Sequence, residues 1–362
     1  MMRRLLLPAL LFTFAACASR PDQTAIEMAD PSAPRSYTAE AARNPVGVIP
    51  AATLRDTQRN KDIELFIEYP TKGGPSPLIV WSHGFGGSSR GYVGLSSYWA
   101  ANGYVVIKPT HADAGRTLEG TDLGAAQTAA DWRNRATDIR VILDSLDTLV
   151  RQYPELEGKI DRERIGVGGH SYGAFTAMLL SGARAGGETF ADPRIDGVIA
   201  MSPQGPNEAL GLTTESWTNV RIPVLYMTGS LDQGATDVQT PEWRRQAFEL
   251  SPAGDKWFVS IEGARHSSFA GQVANITTED LRTPPQRTTR DPRDPRDPRD
   301  PMTRQQQQQR GSSSGFLRDR AVFGTIRTTS LAFWDAYVRK EASGTEYLRG
   351  LTSRGDLQVV TK

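Results

Sequence analysis

An α/β protein with a mostly parallel sheet, covered by helices on both faces, is the fold class the sequence predicts. Three observations predict it. Short, continuously apolar runs bounded by turn residues recur along the chain; runs with helical spacing alternate with them; and a glycine-flanked serine sits at one strand-to-helix junction, in IGVGGHSYGAFTA, Ile165 to Ala177.

The strand-like runs are Ile63 to Ile67, Leu78 to Trp81, Tyr104 to Ile107, Ile165 to Val167, Val198 to Met201, Val224 to Met227 and Trp257 to Ile261. They are too short and too uniformly apolar for amphipathic helices, and suit strands buried on both faces. Between them, Trp132, Ala136, Ile139, Ile142 or Leu143, Leu146 and Leu149 recur at spacings of three and four, and Tyr172 to Ala183 and Leu317 to Lys340 also read as helices. Strand and helix in alternation give a parallel sheet, because a parallel crossover needs a helix to return the chain.

With 38% hydrophobic and 23% charged residues, the 362-residue chain can bury a sizeable core as one large domain or two smaller ones. Lys and Arg total 42 against 41 Asp and Glu, so no net field steers the protein to nucleic acid or an anionic surface; a small-molecule or uncharged partner fits better. Residues 1–17 place Arg3 and Arg4 before an apolar run, Leu5 to Ala16, that is too short for a resident membrane span and reads as a secretory signal peptide. Cys17, the one cysteine, closes that run, and Phe14-Ala15-Ala16-Cys17 resembles the lipobox of bacterial lipoproteins, whose cysteine is acylated. On that reading a lipid anchor associates the protein with the envelope, and Ala18 favours the outer membrane. Cleavage after Ala16-Cys17-Ala18 would instead release a secreted or periplasmic protein.

Residues 18–43 read as a polar tether, 44–281 as the core, 282–315 as a disordered insertion and 316–362 as a helical return to the core. The insertion holds RDPRDPRDPRDP, Arg290 to Pro301, where proline at every third position forbids helix and sheet ladders and the charges favour solvent.

Ser171 falls at the C-terminal end of a predicted strand, where functional groups of such sheets gather. A turn sharp enough to lift its hydroxyl clear of the backbone leaves no room for Cβ atoms nearby, which Gly169 and Gly173 provide; a mere tight turn is the alternative. A serine hydroxyl needs a histidine to take its proton and a carboxylate to hold that histidine. Among four histidines, His170 adjoins the serine and is expected to diverge from it, while His83 and His111 end earlier strands. His266, after the run Trp257 to Ile261, is the candidate base. Asp232, reached by a short glycine turn after Val224 to Met227, is the candidate acid, with Asp237 and Glu208 as rivals. The turn Ser82-His-Gly-Phe-Gly-Gly87 can aim the Phe85 amide at the site, and the Tyr172 amide follows the serine; together they would bind an oxyanion. Phosphate-loop and dinucleotide motifs are missing, as is any HExxH-like metal pair, so the expected chemistry uses neither cofactor nor metal.

Trp81-Ser-His-Gly-Phe-Gly-Gly87, Gly169-His-Ser-Tyr-Gly173, Met227-Thr-Gly-Ser-Leu-Asp232 and Gly263-Ala-Arg-His266 together resemble the α/β-hydrolases, and more narrowly the bacterial branch of predicted dienelactone hydrolases, similar to platelet-activating-factor acetylhydrolases and polyester hydrolases. The resemblance runs from about Asn44 to Leu281 and resumes at Phe316. It implies an eight-stranded sheet and a Ser-His-Asp carboxylic ester hydrolase, a serine esterase. Dienelactone hydrolases carry a cysteine where this chain has Ser171, and polyester hydrolases an aromatic residue near Gln204. The connection Ser202 to Ile222 is too short for a large lid. Gln204, Trp217 and Phe85 are candidates for lining a substrate pocket; core packing is the other use of the aromatics. Removal of short acyl chains from phospholipids, and a non-catalytic envelope binding protein that kept the fold, are the alternative functions.

Overall fold

The computed structural model describes residue 37 and residues 44–116, 131–234, 236–270 and 313–362. The signal peptide with Cys17, most of the tether and most of the insertion lie outside the described residues.

The main sheet has nine strands, β1 (Val46–Asp56), β2 (Lys61–Pro70), β3 (Ser76–Ser82), β4 (Val105–Pro109), β5 (Ile160–His170), β6 (Ile195–Met201), β7 (Val224–Leu231), β8 (Lys256–Arg265) and β9 (Leu357–Thr361), in the spatial order β1-β2-β4-β3-β5-β6-β7-β8-β9. From β4 to β8 every neighbouring pair is parallel. The antiparallel pairs are β1 with β2, β2 with β4, and β8 with β9. The eight strands implied by resemblance are therefore nine. All seven expected runs are strands; β1 and β9 are the two the sequence hid. A register shift between Ile49 and Ala52, around Pro50, breaks the period of β1.

Period-two alternation decides which core each side chain enters. In β3, Leu78 and Val80 pack into one apolar cluster and Ile79 and Trp81 into the other. The first cluster is closed by α2 (Asp131–Asp144), α3 (Leu146–Gln152), α4 (Tyr172–Leu180) and α5 (Pro241–Leu250). The second is closed by α1 (Val93–Ala101), α6 (Ser313–Trp334) and α7 (Ala342–Gly350). Each fully buried Val, Leu or Ile contributes about 1.5–3 kcal/mol relative to exposure, so both layers are held chiefly by apolar burial.

Three boundaries differ from expectation. The apolar period from Trp132 to Leu149 is carried by two helices, broken at Ser145 (φ −112°, ψ 16°), so both segments keep their apolar side chains in the core. Helix α6 begins at Ser313, inside the expected insertion, and passes into a π turn, Asp335–Arg339, closed by Lys340 in the left-handed region. Tyr37, expected in the tether, hydrogen-bonds Asp335 Oδ2 at 2.8 Å and packs its ring 5.0 Å from that of Tyr347. Among the described residues, no helix is long and apolar enough to cross a membrane.

Candidate active site

Strand β5 ends at His170 and α4 begins at Tyr172, leaving Ser171 alone at the junction with φ 56° and ψ −120°. That backbone costs a non-glycine residue on the order of 1–3 kcal/mol. Crowding enforces it. A Cβ on Gly169 would lie 2.3 Å from the Gly173 carbonyl, and one on Gly173 would lie 2.0 Å from the backbone oxygen of Ser82. The Ser171 N–H is tied to the Met201 carbonyl at 2.8 Å, which fixes the turn against β6.

The acid and base arrive from two neighbouring strands. Asp232 follows β7, is fully buried, and takes the His266 Nδ1–H on Oδ1 at 2.8 Å and the Thr228 hydroxyl on Oδ2 at 2.9 Å. His266 opens a short turn, His266–Ala270, after β8, and its side chain is 31% exposed. Burial works to raise the Asp232 pKa, but the His266 hydrogen bond and the Arg244 charge outweigh it and hold it at about 2. The rivals Asp237 and Glu208 are both exposed.

Sequence reasoning missed Arg244. From α5 its guanidinium, 1% exposed, places Nε 3.1 Å from Asp232 Oδ1 and donates to the carbonyls of Ser202 and Pro203 at 3.0 and 3.2 Å. Its Nη2 lies 3.2 Å from His266 Nδ1. Nothing in the amphipathic pattern of α5 marks this residue as turned inward.

His170 packs against the candidate base and the Tyr92 hydroxyl. Its ring centroid lies 4.6 Å from that of His266, and its Nδ1 lies 2.9 Å from the Tyr92 hydroxyl. The Tyr92 oxygen also accepts the Gly84 N–H at 3.0 Å, so one hydroxyl ties the turn at Gly84 to the His170 ring. Burial first, then the neighbouring His266, push the His170 pKa well below the ordinary value, so the ring is neutral. His170 thus brings the elbow beside His266, although among the described residues no hydrogen bond joins the Ser171 hydroxyl to the His266 ring. Such bonds often tighten only when substrate is present.

The turn from Ser82 to Gly87 faces the same junction. Gly84 N–H bonds Tyr92, Gly86 N–H bonds Asp113 Oδ2 at 3.0 Å, and Gly87 N–H bonds the Gly84 carbonyl at 3.1 Å. The Phe85 N–H meets no acceptor among the described residues. The Phe85 and Tyr172 rings meet edge to face, 6.1 Å between centroids.

Two pocket candidates fare differently. Trp217 is fully buried and donates its indole N–H to the Met178 sulfur at 3.4 Å; it packs in the core, where its large ring fills space beneath α4. Gln204 is buried after β6, its Oε1 unpartnered among the described residues. The connection from Ser202 to Pro223 holds one three-residue 3-10 turn, Glu208–Leu210, and no lid.

No curated protein matches this chain. The model of the Alpha/beta hydrolase family matches residues 79–325, a span that includes the elbow, both strand ends that carry Asp232 and His266, and the turn at Phe85. Strand order, parallel core, glycine-walled serine elbow and family match agree: the chain belongs to the alpha/beta hydrolase family, and is a hydrolase.

Proposed function

We propose that the protein is a serine hydrolase that cleaves carboxylic esters through an acyl-enzyme. The observation that carries this reading is the buried Asp232 carboxylate accepting the His266 Nδ1–H at 2.8 Å, beside a serine held on a strained turn. With the proton fixed on Nδ1, His266 presents a bare Nε2 as base. Ser171 Oγ attacks the ester carbonyl while its proton passes to Nε2, and the Asp232 charge stabilises the imidazolium. The oxyanion so formed takes hydrogen bonds from the Phe85 and Tyr172 amides. The proton then passes to the leaving alkoxide, freeing the alcohol; water, deprotonated by His266, attacks the acyl-enzyme and restores Ser171.

A fluorophosphonate probe tests the reading. It should label the wild type once, with parallel loss of activity on p-nitrophenyl esters, and should not label Ser171→Ala. The substitution removes only a hydroxyl, so the fold should persist and the melting temperature should shift little. Esterase activity retained by a folded Ser171→Ala protein would overturn the assignment.

A further inference from the structure

We propose that Arg135, through its buried ion pair with Asp113, is the positioning residue that aims the oxyanion-binding amide of Phe85 and keeps it in register with the elbow at Tyr172. The inference rests on the ester-hydrolase reading of the same site.

Arg135 projects from α2 with its side chain 1% exposed. Nε and Nη2 donate to Asp113 Oδ1 and Oδ2 at 2.9 and 2.7 Å, a two-point contact only a planar fork can make. Nη1 donates to the His83 carbonyl at 2.7 Å and Nη2 to the Gly84 carbonyl at 3.3 Å. Asp113 in turn accepts the Gly86 N–H, and the Gly86 carbonyl accepts the Gly115 N–H at 2.9 Å. One ion pair therefore grips the chain on both sides of Phe85.

Peptide geometry turns that grip into aim. The Gly84 carbonyl is held from three directions, by His83 Nδ1 at 2.7 Å, Gly87 N at 3.1 Å and Arg135 Nη2 at 3.3 Å. That carbonyl and the Phe85 N–H belong to one planar trans peptide, so they point in opposite directions. Pulling the oxygen inward toward Arg135 turns the N–H outward, away from the network that saturates its neighbours. The same guanidinium lies 4.5 Å over the Tyr172 ring, so it touches the residue that carries one proposed donor and, through the Gly84 carbonyl, the peptide that carries the other.

Stability alone is a poor reason for this pair. A buried ion pair is often matched or exceeded in stability by apolar residues of similar volume. What it supplies is directional constraint, and oxyanion donors work only within about 2.7–3.1 Å of the developing charge, where losing one costs about 100- to 1,000-fold.

The test compares Arg135→Met, Arg135→Lys and Asp113→Asn with the wild type, with turnover normalised to fluorophosphonate-labelled sites so that misfolded protein does not count. An alkyl boronic acid provides the second readout: Ser171 Oγ bonds boron, its proton passes to His266, and the tetrahedral adduct sets an oxygen at the two amides. For Arg135→Met, kcat per labelled site should fall by about 10- to 100-fold with KM within about two-fold, and the boronate Ki should rise by a similar factor. Arg135→Lys, with a point charge but no fork, and Asp113→Asn should fall between. Normalised turnover within two-fold of wild type, or a turnover loss with unchanged boronate Ki, would overturn the proposal, as would failure of both Arg135→Met and Asp113→Asn to fold. A wild type that neither labels nor hydrolyses esters would instead defeat the underlying reading.

Discussion

Two Ser-His-Asp sets stand side by side in this molecule. One is Ser171, His266 and Asp232. The other lies within the core: Ser82 Oγ is 2.9 Å from His111 Nε2, and His111 Nδ1 is 2.9 Å from Asp138 Oδ2. By hydrogen-bond geometry the buried set is the more complete. Yet Ser82, the last residue of β3, has no exposed surface, and its hydroxyl also accepts from Arg135 at 3.2 Å. Asp138 is shared with Arg59 at 2.6 Å and Lys61 at 2.8 Å. Burial, then the Arg135 charge, push the His111 pKa down to about 4, so proton uptake is penalised there. On the proposed reading, access and backbone placement, rather than the three residue types, separate a reactive site from a structural brace.

The largest break in that comparison should come from Asp232→Asn. An amide can hold His266 in the wrong tautomer, and in a serine protease the same change costs about ten-thousand-fold in kcat. By analogy kcat should fall by roughly three to four orders of magnitude, with a far smaller change in KM. Steady-state kinetics on a soluble ester would show it. Asp237→Asn and Glu208→Gln, both at exposed positions, should stay within about two-fold of wild type. A crippling Asp237→Asn with a benign Asp232→Asn would move the acid to the rival.

The buried set should declare itself in acid. Unfolded His111 takes its proton near the ordinary value of 6.5, folded His111 only near 4. As pH falls between those values the unfolded state binds more protons, so folding stability drops, by on the order of 3 kcal/mol for this group. Asp113 and Asp138, each held at about 2 against an ordinary 3.8 because hydrogen bonds and charge outweigh burial, extend the loss at lower pH. Melting temperature should therefore decline from about pH 7 to about pH 4.5, and less steeply in His111→Asn. Equal slopes in the two proteins would contradict the assignment.

Ser82→Ala should have the smallest effect. It removes one buried hydroxyl from a network with other partners, costing about 1–2 kcal/mol by denaturant titration. Fluorophosphonate labelling should remain stoichiometric and the ester rate within about ten-fold of wild type, since Ser82 only abuts Arg135. Lost labelling in a folded Ser82→Ala protein would make the buried serine part of the chemistry.

The sequence made the sheet and the elbow legible because both are local. Apolar runs marked seven of nine strands, and Gly169 and Gly173 marked a turn whose tightness the missing Cβ atoms explain. The pairing of Asp232 with His266 could be read ahead because each follows a recognisable strand end. Arg135, Arg244 and the Tyr92–His170 pair could not, since their partners lie 52, 42 and 78 positions away for contacts such as Arg135 to His83, Arg244 to Ser202 and Tyr92 to His170. On a helix such arginines look like any solvated charge. Trp217 stayed open between pocket and core for the converse reason: a large aromatic near a strand end has the same signature in a core as in a cleft.

The strained backbone at Ser171 also bears on how such a protein changes over generations. Glycine would occupy φ 56°, ψ −120° without the penalty a side chain incurs. At this position a loss of chemistry and a gain in stability point in the same direction. On the proposed reading, a descendant released from selection for turnover would drift downhill by giving up the serine, and a serine kept on this turn is what continued use of its hydroxyl would leave behind.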